Sequence, residues 1–278
     1  MSGSADITET RAAAQHVGSP VRLGRSLEQI LWSSCGIVAV VVLWQVGAVT
    51  GFLPTRYTSS PTAVLAAAAR LLASGELIHD TSVTLFEFSV GMAAAVGVGI
   101  PIGLAAGWYR RFQYAVEPYL AALYATPSLA LLPLLVLWFG IGIRSTTVLV
   151  IISAFFPIVI NVMQGVKTVD VALLRMARSF GAGQGRVFRE IVLPATVPFL
   201  ASGLQLGVAR GLIGVIVGEM YAASNGGLGY MIAVSGSTLA VDQMFVAVVI
   251  ITAIGILLLG ATRMLERRLQ HWKPRALE

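Results

Sequence analysis

Ionisable residues inside apolar sequence are where this chain has unusual chemistry to offer. Arg210 lies in the middle of the run ATVPFLASGLQLGVARGLIGVIVG. A charge at hydrocarbon depth costs at least ~2.5 kcal/mol, so such a residue needs a reason to be there. Glu219 follows nine residues later, ~13 Å along a straight helix at 1.5 Å per residue, too far for a pair within the helix. Two uses of Arg210 stand open: contact with an anionic substrate, or a structural role such as an ion pair with Glu87 in another apolar run. Asn161, Gln164 and Gln205 add hydrogen-bonding groups within apolar runs, as pathway residues or as ordinary contacts between helices.

Other chemistries lack their residues. His16, His79 and His271 have no metal-ligand spacing, and no metal site is expected. His79 and Asp80 are adjacent but have no nucleophile in view, so they read as a polar loop end. Cys35 is the single cysteine, which excludes an internal disulfide. A phosphate-cradling loop needs G-x-x-x-x-G-K-[S/T]. The two lysines, Lys167 and Lys273, follow Val166 and Trp272, so no such loop exists. The chain is therefore not expected to be an ATPase or to hold a cofactor of its own.

The most structured polar segment is VKTVDVALLRMARSFGAGQGRVFREIVLP, residues 166–194. Asp170 is a plausible cap, and an amphipathic helix should follow through Phe180. Gly181, Gly183 and Gly185 then break it. A second short helix near Arg186–Val192 should end at Pro194. Helix, glycine turn and helix make a knob suited to docking in a partner's cleft. The plainer alternative is a solvated basic loop, but apolar Leu174, Phe180, Phe188 and Ile191 speak against it.

These residues sit in a chain that is 56% hydrophobic and 12% charged. A soluble domain carries about 25% charged residues, so a bilayer-facing surface is implied. Six apolar stretches appear, near Ile30–Val49, Val83–Gly107, Tyr119–Phe139, Thr146–Val166, Ala195–Gly218 and Met244–Thr262. Each has about the ~20 residues a spanning helix needs. Between the first two, Ser60 should cap a helix that has Pro61 at its first position. Its apolar part, Thr62–Ala73, suits an interfacial or re-entrant helix.

With a cytoplasmic N-terminus, 15 of the 19 Lys and Arg residues fall on the cytoplasmic side and three outside. The net charge of +6 is thus a topology signal, with both termini expected inside. The arginines form no stripe, so nucleic acid is not an expected partner, whereas membrane lipid is. Residues 1–29 read as a partly disordered cytoplasmic tail without a cleavable signal peptide, residues 30–265 as the membrane domain, and residues 266–278 as a basic cytoplasmic tail.

Small residues recur every fourth position, as Gly91, Ala95, Gly99, Gly103 and Gly107, and again as Gly203, Gly207 and Gly211. Such stripes pack helices closely within one chain, or against a second copy or a pathway. Pro101, Pro127, Pro133 and Pro157 should kink their helices.

The polar segment resembles the cytoplasmic signature of permease subunits of binding-protein-dependent ABC importers. That signature is Glu-Ala-Ala, then Gly after three residues, then Ile-x-Leu-Pro after nine more. Ala177, Gly181, Ile191, Leu193 and Pro194 match it; Arg175 and Met176 stand where the glutamate and first alanine would be. The resemblance covers roughly residues 30–265 and is nearest the nitrate, sulfonate, taurine and bicarbonate branch. Further stretches that carry it are LPTRYTSSPTAV, GIPIGLAAGW, PLLVLWFGIG, AFFPIVINVMQGV, ARSFGA and GEMYAASNGGLGYMI. Two departures are Glu87, where relatives often have arginine, and Arg210, where an aromatic residue is common.

The resemblance implies an all-α type I importer permease of the bacterial inner membrane, working as a homodimer or pseudo-dimer on a small anionic solute. Its expected partners are two ATP-binding subunits, which hold ATP and magnesium, and an extracytoplasmic solute-binding protein. Arg175, Met176, Ala177, Phe180, Gly181, Ala182, Ile191, Leu193 and Pro194 would couple to the ATPase. The rival class is an ion-coupled secondary transporter or channel, which would show inverted repeats and midplane carboxylates.

Overall fold

The computed structural model describes residues 23–222 and 226–269, and every regular element among them is helical. The unit formed by residues 1–55 contains α1 (Leu23–Val49). This helix takes in the last residues of the expected tail, and residues 1–22 of that tail lie outside the described part. The apolar portion of α1, Ser34–Val49, falls short of the ~20 residues that a spanning helix needs, so the first expected span is not among the helices long and apolar enough to cross. Beyond it the chain turns through α2 (Thr55–Thr58).

The second unit starts at Arg56 and holds the rest of the chain. Its first long element is α3 (Pro61–Ala73), where Ser60 Oγ accepts the Ala63 N–H at 3.2 Å and Pro61 opens the first turn. Val64, Ala67 and Leu71 form its buried face. Four helices are long and apolar enough to cross a membrane. They are α4 (Glu76–Trp108), α7 (Ile143–Lys167), the 39-residue stretch Gln184–Ala222, and α12 (Val241–Leu269), whose apolar length is counted to Arg268.

The third apolar stretch departs from a single span. It is divided into α5 (Arg110–Ala125) and a short 3-10 turn, Ser128–Leu131, that leads into α6 (Leu132–Phe139), and the two halves meet at 86°. Pro127 lacks the N–H that would continue α5 and pushes Thr126 out of the helical region, to ψ 129°. Pro133 then sits in the first turn of α6, where a proline is tolerated. Pro101 and Pro157 stay inside unbroken helices.

The small-residue stripes decide how the bundle closes. A β-carbon on Gly91 would lie 2.7 Å from Val150 Cβ, and one on Gly103 would lie 2.8 Å from Val162 Cβ. The first stripe therefore seats α4 against α7. The second does the same for the Gln184–Ala222 helix, with Gly203 facing Asn161, Gly207 facing Ile158 and Gly211 facing Phe88. Packing within the chain, rather than against a second copy, is what these stripes do. Between the three helices lies a buried apolar core of Ala95, Ala154, Ile158 and Val162 continuing to Phe88, Val150, Val208 and Val215. Val98 on α4 and Ile256 and Leu257 on α12 point outward, as lipid-facing positions should. α12 carries the basic residues Arg263, Arg267 and Arg268 at its end; residues 270–278 lie outside the described part.

Candidate functional site

The polar loop forms a knob with a fixed base. Asp170 caps α8 (Val171–Ser179), its Oδ1 accepting the Ala172 N–H at 2.7 Å. The helix stops where Gly181 takes φ +80°. The Gly181 N–H then reaches Arg178 O at 2.9 Å and the Ala182 N–H reaches Ala177 O at 3.0 Å. This pair of hydrogen bonds is the Schellman arrangement, in which a left-handed residue satisfies the last free carbonyls. Only glycine adopts that backbone without strain, which gives the Ala177–Gly181 spacing a physical cause.

The return strand of the knob corrects the sequence reading. The second short helix does not end at Pro194. A helical turn, α9 (Gln184–Val187), passes through a wide π turn at Phe188–Val192 into α10 (Leu193–Ala222). The Leu193 N–H bonds Phe188 O, five residues back. That extra residue lets the helix run through a proline that has no N–H to give. Ile191, Leu193 and Pro194 thus belong to the root of a spanning helix.

Val166, Val169 and Val192 are buried at the base of the knob, with Leu104, Trp108, Leu174, Phe188 and Ile191 packed on them. The rings of Trp108 and Phe188 meet edge to face at 5.3 Å. The far side is bare: Phe180 is 85% exposed and Met176 53%, with Val171 and Leu173 also exposed. Arg175 is exposed on the same helix. Beneath α8 a recess of about 480 Å³ is lined by Arg110, Arg111, Lys167 and Arg178; Lys167 is paired with Glu117 at 3.0 Å.

A second polar cluster is one the sequence did not reveal. Asp80, Thr84 and Glu87 lie along one face of α4 and are all buried. Asp80 and Thr84 face the start of α11 (Leu228–Ser237). Asp80 Oδ1 accepts the Gly227 N–H at 3.1 Å, Thr84 Oγ1 the Leu228 N–H at 2.9 Å, and Glu219 Oε2 the Gly229 N–H at 2.7 Å. Three successive donors that a helix start leaves free are met by two other helices. Gly227 stands at φ +122°, and a β-carbon there would lie 2.5 Å from the Glu219 carboxyl carbon. Asp80 is therefore no polar loop end, although exposed His79 remains 3.2 Å from it. Glu87 Oε2 is buried without a hydrogen-bond partner among the described residues.

The candidate pathway residues do not form one group. Asn161 Nδ2 donates to Pro157 O at 2.8 Å, a bond within its own helix. Gln205 Nε2 donates to Glu266 on α12 at 3.2 Å. Gln164 is exposed. Glu219 belongs to the α11 cluster, and Glu87 is buried in the same stretch of α4. Arg210 stands apart from both acids and makes no ion pair with Glu87. It lines a recess of about 250 Å³ at the break between α5 and α6, together with Tyr124, Thr126, Ser128, Ser153 and Phe156.

Comparison with known proteins places these features in a family. Residues 99–271 match the family model described as binding-protein-dependent transport system inner membrane component. The chain is 30% identical over 234 residues to the protein named aliphatic sulfonates transport permease protein SsuC of Bacillus subtilis strain 168, covering 84% of each chain. It is 34% identical over 196 residues to the taurine transport system permease protein TauC of Escherichia coli K12, covering 70% of this chain and 71% of that one. Its fold is similar to inward-facing structures of the MetNI methionine ABC transporter, with TM-score 0.61 and 19% identity over 69% of this chain and 95% of that one. An amino acid ABC transporter gives 0.59 with 16% identity over 72% and 97%. The fold is thus that of a type I ABC importer permease, and the chain belongs to the inner membrane components of binding-protein-dependent transport systems, as a multi-pass permease subunit.

Proposed function

We propose that this chain forms the translocation path of an ATP-driven importer for small oxyanions of the sulfonate or taurine kind, and that it receives its stroke through the α8 knob. The observation behind this reading is the contrast within the knob. Its base is packed into the root of α10 and the end of α4, while Met176 and Phe180 at its tip have nothing over them. Four exposed apolar side chains on one short element, Val171, Leu173, Met176 and Phe180, suit a docking surface better than a solvated one. Because the knob shares a packed base with two spanning helices, a push on the tip is transmitted as a rigid-body movement.

In this reading two ATP-binding subunits sit below a homodimer of permeases, each taking one α8 into a cleft, with both termini of the permease on the same side. The ATPase holds the nucleotide and magnesium. A solute-binding protein delivers the oxyanion from the opposite face. Arg175 and the basic recess under α8 suit an acidic rim on the ATPase, which compensates for the absent glutamate by exchanging the sign of the contact. The solute class follows the names of the sulfonate and taurine relatives.

Coexpression with the neighbouring ATPase and binding protein tests the reading. The complex should copurify and should import taurine or an alkanesulfonate into liposomes only with ATP. A chain that never copurifies with an ATPase, or that transports alone down an ion gradient, supports the secondary-transporter class instead.

A further inference from the structure

The break between α5 and α6 leaves a recess at membrane depth that the family features do not account for. Thr126 and Pro127 have left the helix there, and Ser128 opens the 3-10 turn that follows. Non-helical backbone is tolerated at that depth where it is buried in protein or lines a watery cavity. The recess is open and holds about 250 Å³, a volume suited to a small headgroup.

Arg210 reaches this recess from the middle of α10. None of the side chains lining it is acidic, and Arg210 makes no ion pair among the described residues. A guanidinium at that depth, beside a cavity and without a counter-ion, leaves an anion as its missing partner. The same lining supplies a neutral donor: Ser153 Oγ on α7 donates to Ser128 Oγ at the break at 3.2 Å, which leaves the Ser128 O–H to donate to an anion. Gly214, one turn beyond Arg210, lets α10 lie close against this serine, since a β-carbon there would lie 3.0 Å from Ser153 Oγ. A planar guanidinium fork and a hydroxyl donor lining one recess match an oxyanion with three or more oxygens.

We infer that the recess lined by Arg210, Ser128 and Ser153 is a transit site for the oxyanion headgroup of the imported solute. Arg210 neutralises the charge, and Ser128, held by the bond from Ser153, donates to a remaining oxygen while the α5–α6 break lets the site open. The inference rests on the importer reading above and assigns the position at which that importer handles its substrate.

The test uses the complete complex, permease with ATPase and binding protein, reconstituted in liposomes. Solute imported per ATP hydrolysed is measured with radiolabelled taurine, methanesulfonate or nitrate as probe. Arg210→Gln should lower that ratio about tenfold or more, the scale of one charge-assisted hydrogen bond. Arg210→Lys should keep part of it, and Ser128→Ala with Ser153→Ala should lower it about threefold through the loss of neutral bonds.

A structural role for Arg210 would instead reduce assembly, or reduce transport and hydrolysis in parallel, and either result overturns the site. So does an unchanged ratio in all three variants. If a phospholipid phosphate fills the recess, Arg210→Gln changes only the lipid dependence of thermal stability, which also overturns the proposal. A wild-type complex that imports none of the probes with ATP overturns the importer reading itself, and the transit site with it. An importing wild type whose Arg210→Gln variant keeps the same ratio overturns the transit site alone.

Discussion

Glu219, Thr84 and Gly181 show how single atoms hold the working parts in place. Glu219 and Thr84 each satisfy one N–H at the start of α11. Removing either acceptor leaves a buried donor unpaired, so Glu219→Ala and Thr84→Val should each cost about 1–3 kcal/mol, read as a lower unfolding temperature in detergent. The double variant should lose less than the sum, because both bonds tether the same helix end. Additive losses would mean that α11 is held elsewhere. Gly181 and Gly227, both at positive φ, should differ in a related way. A β-carbon on Gly181 meets nothing within 4 Å, so Gly181→Ala should cost only the left-handed strain of about 1–2 kcal/mol. Gly227→Ala adds a collision with the Glu219 carboxyl group and should be clearly the more damaging of the two in the same assay.

At the scale of elements, α8 carries the second kind of prediction. Phe180 touches none of the packed base, so Phe180→Asp should leave the permease inserted and as heat-stable as the wild type. It should lose copurification with the ATPase by about tenfold or more, as expected for a buried aromatic anchor. Retained copurification would remove the knob from the interface. The elements also show what the sequence made legible and what it did not. The Asp170 cap, the turn at Gly181 and the Ser60–Pro61 start depend on local chemistry, and all three were readable from neighbouring residues. The π turn at Phe188–Val192 was not, because it is a compromise between Pro194 and the need to run on into a spanning helix. Pro127 announced a kink, but the 86° bend also depends on what α6 packs against, with Leu132 and Leu135 beside Leu149 and Ala222. The α11 clasp joins residues more than 140 positions apart in sequence, and His79-Asp80 gave no local sign of it.

On the scale of the whole molecule, the remaining question is which face meets the cytoplasm. The bundle has a knob at one end, next to the start of α5, and α3 with the start of α4 at the other. The basic residues crowd toward the knob: Arg110, Arg111, Lys167 and Arg178 line the recess beneath it. Positive residues stay on the cytoplasmic side of short loops, so this end should face inward. Cys35 is the single cysteine, which makes the orientation directly measurable. In a Cys35→Ala background, Ser179→Cys places a thiol at the end of α8 and Ser74→Cys places one at the end of α3; both positions are exposed. A membrane-impermeant maleimide should label the first only in inside-out vesicles and the second only in right-side-out cells. The reverse pattern would put the knob outside, where no ATPase can reach it, and the coupling proposal would fall with the orientation. Labelling of Ser179→Cys should also fade when the ATPase is coexpressed, since docking would cover the tip of α8 while the end of α3 stays reactive.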